Sequence, residues 1–330
     1  MKKFMAIGLS VLFAVFFVVS CAEKPTAPKA GSAKADDMLS LLPKESFGVI
    51  VVDVNRILTT ESVDKAIKEN KNYQKYLEFV QETGVDPQKD VFFFVGAMSG
   101  VVREGAQDGV AVVNLKYDRT KLLAKIQKEQ GELAKTEYNG FTVYQAAAKE
   151  GKKPVSGAFL DESNIILGTD SAVKSVIDVY QKKAENIWKS ESLPSLLKGM
   201  NRNAMIWGGF AVPAEAMKKA ASQNPMLGAF ANIQSIIMSF DYRNQNVLAE
   251  IKAMCPDEAK TKQMADALNG FKALGAGVAA KEPLVGELLN KIEIFSAADH
   301  VKISASIPED LIKSLGEKAK VEKAQPESKN

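Results

Sequence analysis

The chain has 330 residues, of which 46% are hydrophobic and 25% are charged. These proportions are ordinary for a globular protein and exclude a chain that is disordered throughout, while the length favours two units of roughly 150 residues each. The 43 basic and 40 acidic residues give a formal net charge of +3, which is too small to recruit nucleic acid through a strong electrostatic field.

The first twenty residues have the pattern of a secretory signal peptide. Lys2 and Lys3 form a short positive segment, and an apolar run of 14 residues follows over 6–19. A bilayer-spanning helix needs roughly 20 apolar residues, so this run is short for a membrane span. We therefore expect residues 1–20 to direct the chain out of the cytoplasm and to be removed.

The signal ends in Val18-Val19-Ser20-Cys21, a sequence that resembles the lipobox of bacterial lipoproteins. The resemblance implies cleavage before Cys21, lipid attachment to its sulfur, and acylation, palmitate included, of the new amino terminus. Two or three acyl chains anchor a protein stably, whereas one chain binds only marginally. The alternative is a plain signal peptide with an incidental cysteine. Because no Asp follows Cys21 directly, the resemblance favours the periplasmic side of the outer membrane in a Gram-negative cell.

Low-complexity segments flank the body of the chain. Residues 22–38 are mostly Ala, Lys, Pro, Gly and Ser, and such a composition buries too little apolar surface to offset its ordering entropy. We therefore predict a lipid anchor and flexible tether over 21–40, which as a coil reaches on the order of 20 Å. Residues 319–330 are similar in composition and are predicted to form a disordered tail.

The first half of the body, residues 41–190, alternates helices with aliphatic strands. Strands are predicted at 48–54, 91–98, 109–117, 141–145, 155–160 and 164–168. A helical stretch begins near Glu61, is interrupted around residues 69–72, and ends where Gly84 suits a helix C-terminus. Asp118 and Thr169-Asp170 carry side chains that suit helix N-caps, so a helix is expected after each of them.

The second half, residues 191–318, follows the same order. Strands are predicted at 204–212, 233–242 and 247–254, with a hairpin at 291–306. Residues 111–118 match 249–256 in pattern with an offset of 138, and residues 165–173 match 301–309 with an offset of 136. The pattern predicts an α+β fold with two similar halves, each a largely antiparallel sheet with helices packed on one face. The alternative to internal duplication is two ordinary α+β units.

The body also resembles a group of uncharacterised bacterial envelope proteins, many of them lipoproteins. The resemblance lies in the opening LLPKESFGVIVVDV at 41–54 and in the turn TGVDPQKDV at 83–91, and it covers about the first hundred residues of the mature chain. It implies an envelope protein of duplicated α+β type and implies no activity.

Residue types that carry chemistry are scarce, and we predict a protein that is not an enzyme and holds neither cofactor nor metal. His300 is the single histidine, so it alone could serve a Ser-His-Asp triad, and an exposed turn residue is the simpler interpretation. No His or Cys cluster suits a transition metal. Cys255 follows a predicted strand and is expected in the core, although a helix N-terminus could activate its thiol.

Methionines concentrate in the second half, where seven of the eleven lie between Met200 and Met264. Methionine adapts its shape and is common on promiscuous apolar binding surfaces, although ordinary core packing is the alternative. The candidate contacts for an apolar ligand are Met226, Phe230, Ile237 and Met238. We therefore predict a membrane-anchored binding or assembly module whose partners are the membrane, an envelope protein or an apolar ligand, with no nucleic acid. A carrier or chaperone for lipid is the alternative.

Overall fold

A computed structural model describes residues 31–99, 108–148, 154–191, 193–223, 225–279 and 282–324. Twelve β-strands of these residues form one sheet, and every neighbouring pair of strands is antiparallel. The strands are β1 Ser46–Asp53, β2 Val91–Ser99, β3 Asp108–Leu115, β4 Ala134–Tyr138, β5 Phe141–Gln145, β6 Ser156–Phe159, β7 Asn164–Gly168, β8 Ile206–Ala211, β9 Ser235–Arg243, β10 Asn246–Met254, β11 Ile292–Ser296 and β12 His300–Pro308.

Helices join most of these strands. They are α1 Gly31–Leu39, α2 Val54–Leu58, α3 Glu61–Glu69, α4 Tyr73–Thr83, α5 Pro87–Asp90, α6 Arg119–Gln130, α7 Asp170–Tyr180, α8 Leu193–Lys198, α9 Ala214–Gln223, α10 Glu258–Ala279, α11 Pro283–Asn290 and α12 Glu309–Ala324. Short 3₁₀-helices lie at Ile187–Lys189 and Pro225–Phe230. Among the described helices, none is both long and apolar enough to cross a membrane. The predicted α+β class is therefore confirmed.

The two halves share a single continuous sheet, whose strand order is β11-β12-β10-β9-β8-β1-β2-β3-β7-β6-β5-β4. The first strands of the two halves, β1 and β8, lie side by side, with Val51 opposite Trp207. The sequence did not decide whether the halves share one sheet, and the structure shows that they do. Sequence patterns locate strands but say little about which strands pair, because pairing depends on contacts between distant segments.

One face of the sheet carries the main hydrophobic core, and we call it the core face. A line of cross-strand neighbours crosses it from β8 to β6, namely Trp207, Val51, Val95, Val112, Ile166 and Ala158. All six are buried. Helices α1, α7 and α8 supply the residues that cover them, such as Leu39, Val176 and Leu197. Each fully buried aliphatic side chain contributes about 1.5–3 kcal/mol.

Helices also pack on the opposite face of the sheet. Val54 and Ile57 of α2 cluster with Val52, whose side chain lies on that face of β1. In the second half, Met264 of α10 clusters with Ala253, which also faces away from the core face because strand side chains alternate. The first half therefore has helices on both faces, and the expectation of one helix-covered face in each half is wrong there.

The segment that was predicted to tether the body begins to fold earlier than expected. Helix α1 starts at Gly31, and its Ala35, Met38 and Leu39 are buried in the main core. These few apolar residues recur at helical spacing, a signal that the polar average of the segment conceals. At the other end, α12 continues to Ala324, because Ala, Lys and Glu have high intrinsic helix propensity.

Local signals at helix ends and turns were reliable. The Asp118 side chain accepts a hydrogen bond from the Lys121 amide at the start of α6, and Gly84 ends α4 with a positive φ of 71°. The predicted break falls between α3 and α4. Each of these depends on residues close in sequence, which is why the pattern alone located them.

Candidate functional site

Two rows of apolar residues cross ten strands on the face opposite the core face, and we call them the apolar strip. The first row is Phe159, Ile165, Val113, Phe94, Val52, Ile206, Phe240, Ala249, Ala305 and Ile292. The second row, two positions along each strand, is Gly157, Leu167, Ala111, Gly96, Ile50, Gly208, Met238, Ile251, Ile303 and Ile294. Successive residues of a row are direct cross-strand partners, so the strip is continuous across both halves.

The apolar strip is long and incompletely covered. Strands lie about 4.8 Å apart, so ten strands span roughly 43 Å. Most of its side chains are half-buried, and Leu167 is 41% exposed. Neither row contains a polar or charged side chain. Helix α2 packs on the middle of the strip at Val52 and Phe94, and helix α10 packs on it at Ile294. Leu167 is the only exposed residue of the two rows, so the open section of the strip is the one around Leu167. An exposed apolar surface is a common mark of a binding surface.

The structure separates two of the residues that sequence analysis grouped as ligand contacts. Met238 lies in the second row of the strip and is half-buried. Ile237 lies on the core face instead, where it is 6% exposed and belongs to the main core with Met200. Consecutive residues of a strand point to opposite faces, so the two side chains do not share one surface.

The other predicted contacts lie near helix α10 or outside the described atoms. Phe230 stacks on Phe271 at a centroid distance of 6.2 Å and packs against the cluster that includes Ile236, the neighbour of Met238 on the same face. Met226 belongs to the 3₁₀ turn, but its side chain lies outside the described part of the structure, as does the lipid-attachment residue Cys21.

One end of the apolar strip carries aromatic rings and cations. Phe159, which ends the first row, stacks on Tyr117 at 5.5 Å and meets the edge of Tyr144 at 6.0 Å. The Arg119 guanidinium lies 4.8 Å from the centre of the Phe159 ring, and the Lys135 ammonium lies 6.0 Å from that of Tyr144. Tyr144 is the cross-strand partner of Gly157, so Tyr144 and Lys135 extend the second row.

A concave region lies on the core face of the second half, across β9, β10 and β12. This polar cleft has a volume of about 550 Å³ and is lined by residues that include Ser239, Asp241, Arg243, Glu250 and Ser304. Asp241 is paired with Arg243 at 2.6 Å, and Glu250 is paired with Lys252 at 3.1 Å. Two of its carboxylates are thus already matched by neighbouring cations, and the cleft is a weaker candidate than the strip.

The residues considered for catalysis have ordinary surroundings. His300 begins β12, and its Nδ1 lies 2.7 Å from Asp299 Oδ1. Cys255 is buried, and burial together with the nearby Asp257 raises the pKa of its thiol, which opposes thiolate chemistry at neutral pH. Within the described ranges, no three His, Cys, Asp or Glu side chains are grouped to hold a metal ion.

Sequence analysis missed most of the strip, although a signal was present. The strands that contain Phe94 and Ile165 read VFFFVGAM and NIILG, with apolar residues at both even and odd positions. Such strands are apolar on both faces, which predicts cover on both sides of the sheet. In the first half, the structure covers the core face more fully than the other, and that difference could not be read from composition.

Comparisons with known proteins identify a family and a similar set of solved structures. Crystal form I of a protein named TP0453 is 10% identical, with a TM-score of 0.45, and the match covers 84% of this chain and 96% of that one. Crystal form III is 11% identical, with a TM-score of 0.47, over 84% and 97% of the two chains. No curated protein matches the chain. The family model described as "Protein of unknown function (DUF3352)" matches residues 78–274, which is more than half of the chain, and the chain belongs to that family.

Proposed function

We propose that this chain is a lipid-anchored protein of the bacterial cell envelope that binds an apolar ligand on the apolar strip and catalyses no reaction. The anchor is the lipid on Cys21, and the favoured location is the periplasmic side of the outer membrane. The observation that supports binding is the strip itself, an apolar surface across ten strands of the sheet that is open around Leu167. In its broader form, the same proposal is that this surface binds another protein of the cell envelope.

The strip suits an apolar chain because it offers contact area without competing polar groups. Burying apolar surface contributes about 25 cal/mol per Å². Met238 and Ile251 lie near the middle of the second-half section of the strip as cross-strand neighbours, and a methionine there can adapt to more than one ligand shape. We therefore keep Met238 as a proposed ligand contact in the strip, and we exclude Ile237, which lies on the core face.

Leu167→Glu tests the ligand site. A carboxylate in the strip would lose water under a bound apolar chain, so we expect the affinity for dimyristoyl phosphatidylcholine to fall at least about tenfold. The full chain, solubilised in a nonionic detergent, is titrated with that lipid and observed by native mass spectrometry. The matched control is Leu77→Glu on helix α4, because both leucines are 41% exposed.

Equal loss of lipid binding in both variants would show a general effect of added charge. Equal retention would exclude the strip as the ligand surface. Circular dichroism of both variants checks that the sheet is intact, which we expect because each substituted side chain already contacts water.

Cys21→Ala tests the anchor. We expect the variant to lose all incorporation of a fatty-acid probe in growing bacteria and to leave the membrane fraction, because the lipid is attached to the sulfur atom of Cys21. Labelling is measured on the immunoprecipitated protein, with Cys255→Ala as the control. A Cys21→Ala protein that still carries the probe would contradict the lipobox assignment.

We also propose that the two halves arose by duplication of one ancestral unit. From the centre of the sheet outward, the first half runs β1-β2-β3-β7-β6 and the second runs β8-β9-β10-β12-β11. The starts of β3 and β10 are 138 positions apart, and those of β7 and β12 are 136 apart, in agreement with the sequence offsets. The helices between β1 and β2 have a shorter counterpart between β8 and β9, as the unequal offsets require.

A further inference from the structure

We propose that the ligand of the apolar strip is an anionic lipid, with its acyl chain on the open section around Leu167 and its headgroup beside Arg119 and Lys135. This inference rests on the function proposed above and adds the class and orientation of the ligand. It combines three observations. The strip lacks polar groups, its end near β5 carries aromatic rings and cations, and at its β11 end the nearby Lys272 is already hydrogen-bonded to the protein.

The strip favours an acyl chain over an extended peptide. Its strands are paired on both sides from β6 to β12, so their backbone groups are already hydrogen-bonded within the sheet. A peptide laid across them would leave its own N–H and C=O groups unpaired at a cost of about 1–3 kcal/mol each. An acyl chain has no such groups.

The two cations at the β5 end surround one aromatic pair. The rings of Phe159 and Tyr144 are 6.0 Å apart, and the side chains of Arg119 and Lys135 each lie over one of them. Aromatic rings with polar tips commonly lie where an apolar environment meets a wet one. This end of the strip therefore has the composition expected where the tail of a lipid gives way to its headgroup.

These cations are available to an anion. Among the described residues, no carboxylate lies within ion-pair distance of Arg119 or Lys135, whereas the nearby acidic groups have other partners. The Asp161 carboxylate accepts hydrogen bonds from the amides of Ser163 and Asn164, and Glu137 accepts one from the Thr142 hydroxyl at 2.7 Å. A phosphate headgroup would gain charge-assisted hydrogen bonds with both cations without displacing an existing ion pair.

The opposite end of the strip differs, which gives the ligand a direction. The rows end there at Ile292 and Ile294 of β11. Lys272 lies nearby, and its ammonium group donates a hydrogen bond of 2.6 Å to the backbone carbonyl of Ile292. This lysine is thus engaged with the protein, and helix α10 packs on Ile294, so the headgroup is expected at the Arg119 end.

Two lipids with the same acyl chains test the inference. The full chain in nonionic detergent is titrated with dimyristoyl phosphatidylglycerol, which is anionic, and with dimyristoyl phosphatidylcholine, which is zwitterionic, under native mass spectrometry. We expect the anionic lipid to bind more tightly. Lys135→Gln should reduce that preference about two- to fivefold and Arg119→Gln/Lys135→Gln about tenfold, as expected for exposed ion pairs. Glycerol 3-phosphate should not compete, because it has no chain to occupy the strip.

The matched control is Lys302→Gln. Lys302 is the cross-strand partner of Phe295 and lies 5.9 Å from its ring, as Lys135 does from Tyr144, but it projects on the core face. Unchanged preference in Lys302→Gln together with loss in Lys135→Gln would support the proposed headgroup site. Equal loss in both would overturn it, because net charge would then explain the preference.

Two further outcomes separate this inference from the function on which it rests. If both lipids bind equally and Leu167→Glu weakens both, the headgroup site is wrong and the apolar ligand site stands. If neither lipid binds the unsubstituted chain, both proposals fail.

Discussion

Replacing Trp207 with Ala should lower the free energy of unfolding by about 3–5 kcal/mol, the range for truncating a large buried aromatic side chain. Trp207 is 2% exposed and lies opposite Val51, where the first strands of the two halves, β1 and β8, pair. The Arg202 guanidinium also lies over its ring at 5.3 Å. The change would leave a cavity at the junction of the halves, because its neighbours belong to a rigid sheet.

Equilibrium urea unfolding followed by circular dichroism measures this loss. The matched control is Trp188→Ala at the only other tryptophan. Trp188 is half-buried, and its ring N–H donates to the Ser40 hydroxyl at 2.9 Å, so its removal should cost less. A loss below about 1 kcal/mol in Trp207→Ala would mean that the β1–β8 junction is not closely packed.

The junction also explains which part of the fold could be predicted from the sequence. Strand β1 was evident from GVIVVDV and β8 from AMIWGGFAV, because apolar runs bounded by turn signals indicate buried strands. Their pairing was not evident, since it joins residues more than 150 positions apart. Continuity of the sheet across the halves is a long-range property, and periodicity reports only local structure.

The same limit applies to the candidate site. Met238 was selected for its residue type, and it lies in the strip. Ile237 was selected with it because the two are adjacent, but the register of β9 places it in the main core. Lys135 and Arg119 belong to different elements and meet one aromatic pair only after β4, β5 and β6 have aligned, so no pattern of neighbouring residues indicates them.

Replacing Asp241 with Ala should cost about 3 kcal/mol, because it leaves a cation unpaired within the protein. The Asp241 side chain is 4% exposed and contacts Arg56 at 3.1 Å and Arg243 at 2.6 Å. Arg243 is mostly exposed and can be solvated without Asp241, so the loss of stability arises chiefly from Arg56. The guanidinium of Arg56 would retain its hydrogen bond of 2.9 Å to the Asn203 carbonyl. That bond satisfies only one of the five N–H donors of the guanidinium.

The double variant Asp241→Leu/Arg56→Met separates an unpaired charge from lost packing. A buried ion pair can often be replaced by apolar residues of similar volume at little cost, because the desolvation penalty is removed together with the attraction. We therefore expect the double variant to be more stable than Asp241→Ala in urea unfolding. Asp64→Ala is the control at an exposed pair, Asp64 with Lys68 at 2.7 Å, where the change should be at most about 1 kcal/mol. If the double variant were no more stable than Asp241→Ala, packing around the carboxylate, and not the charge of Arg56, would account for the loss.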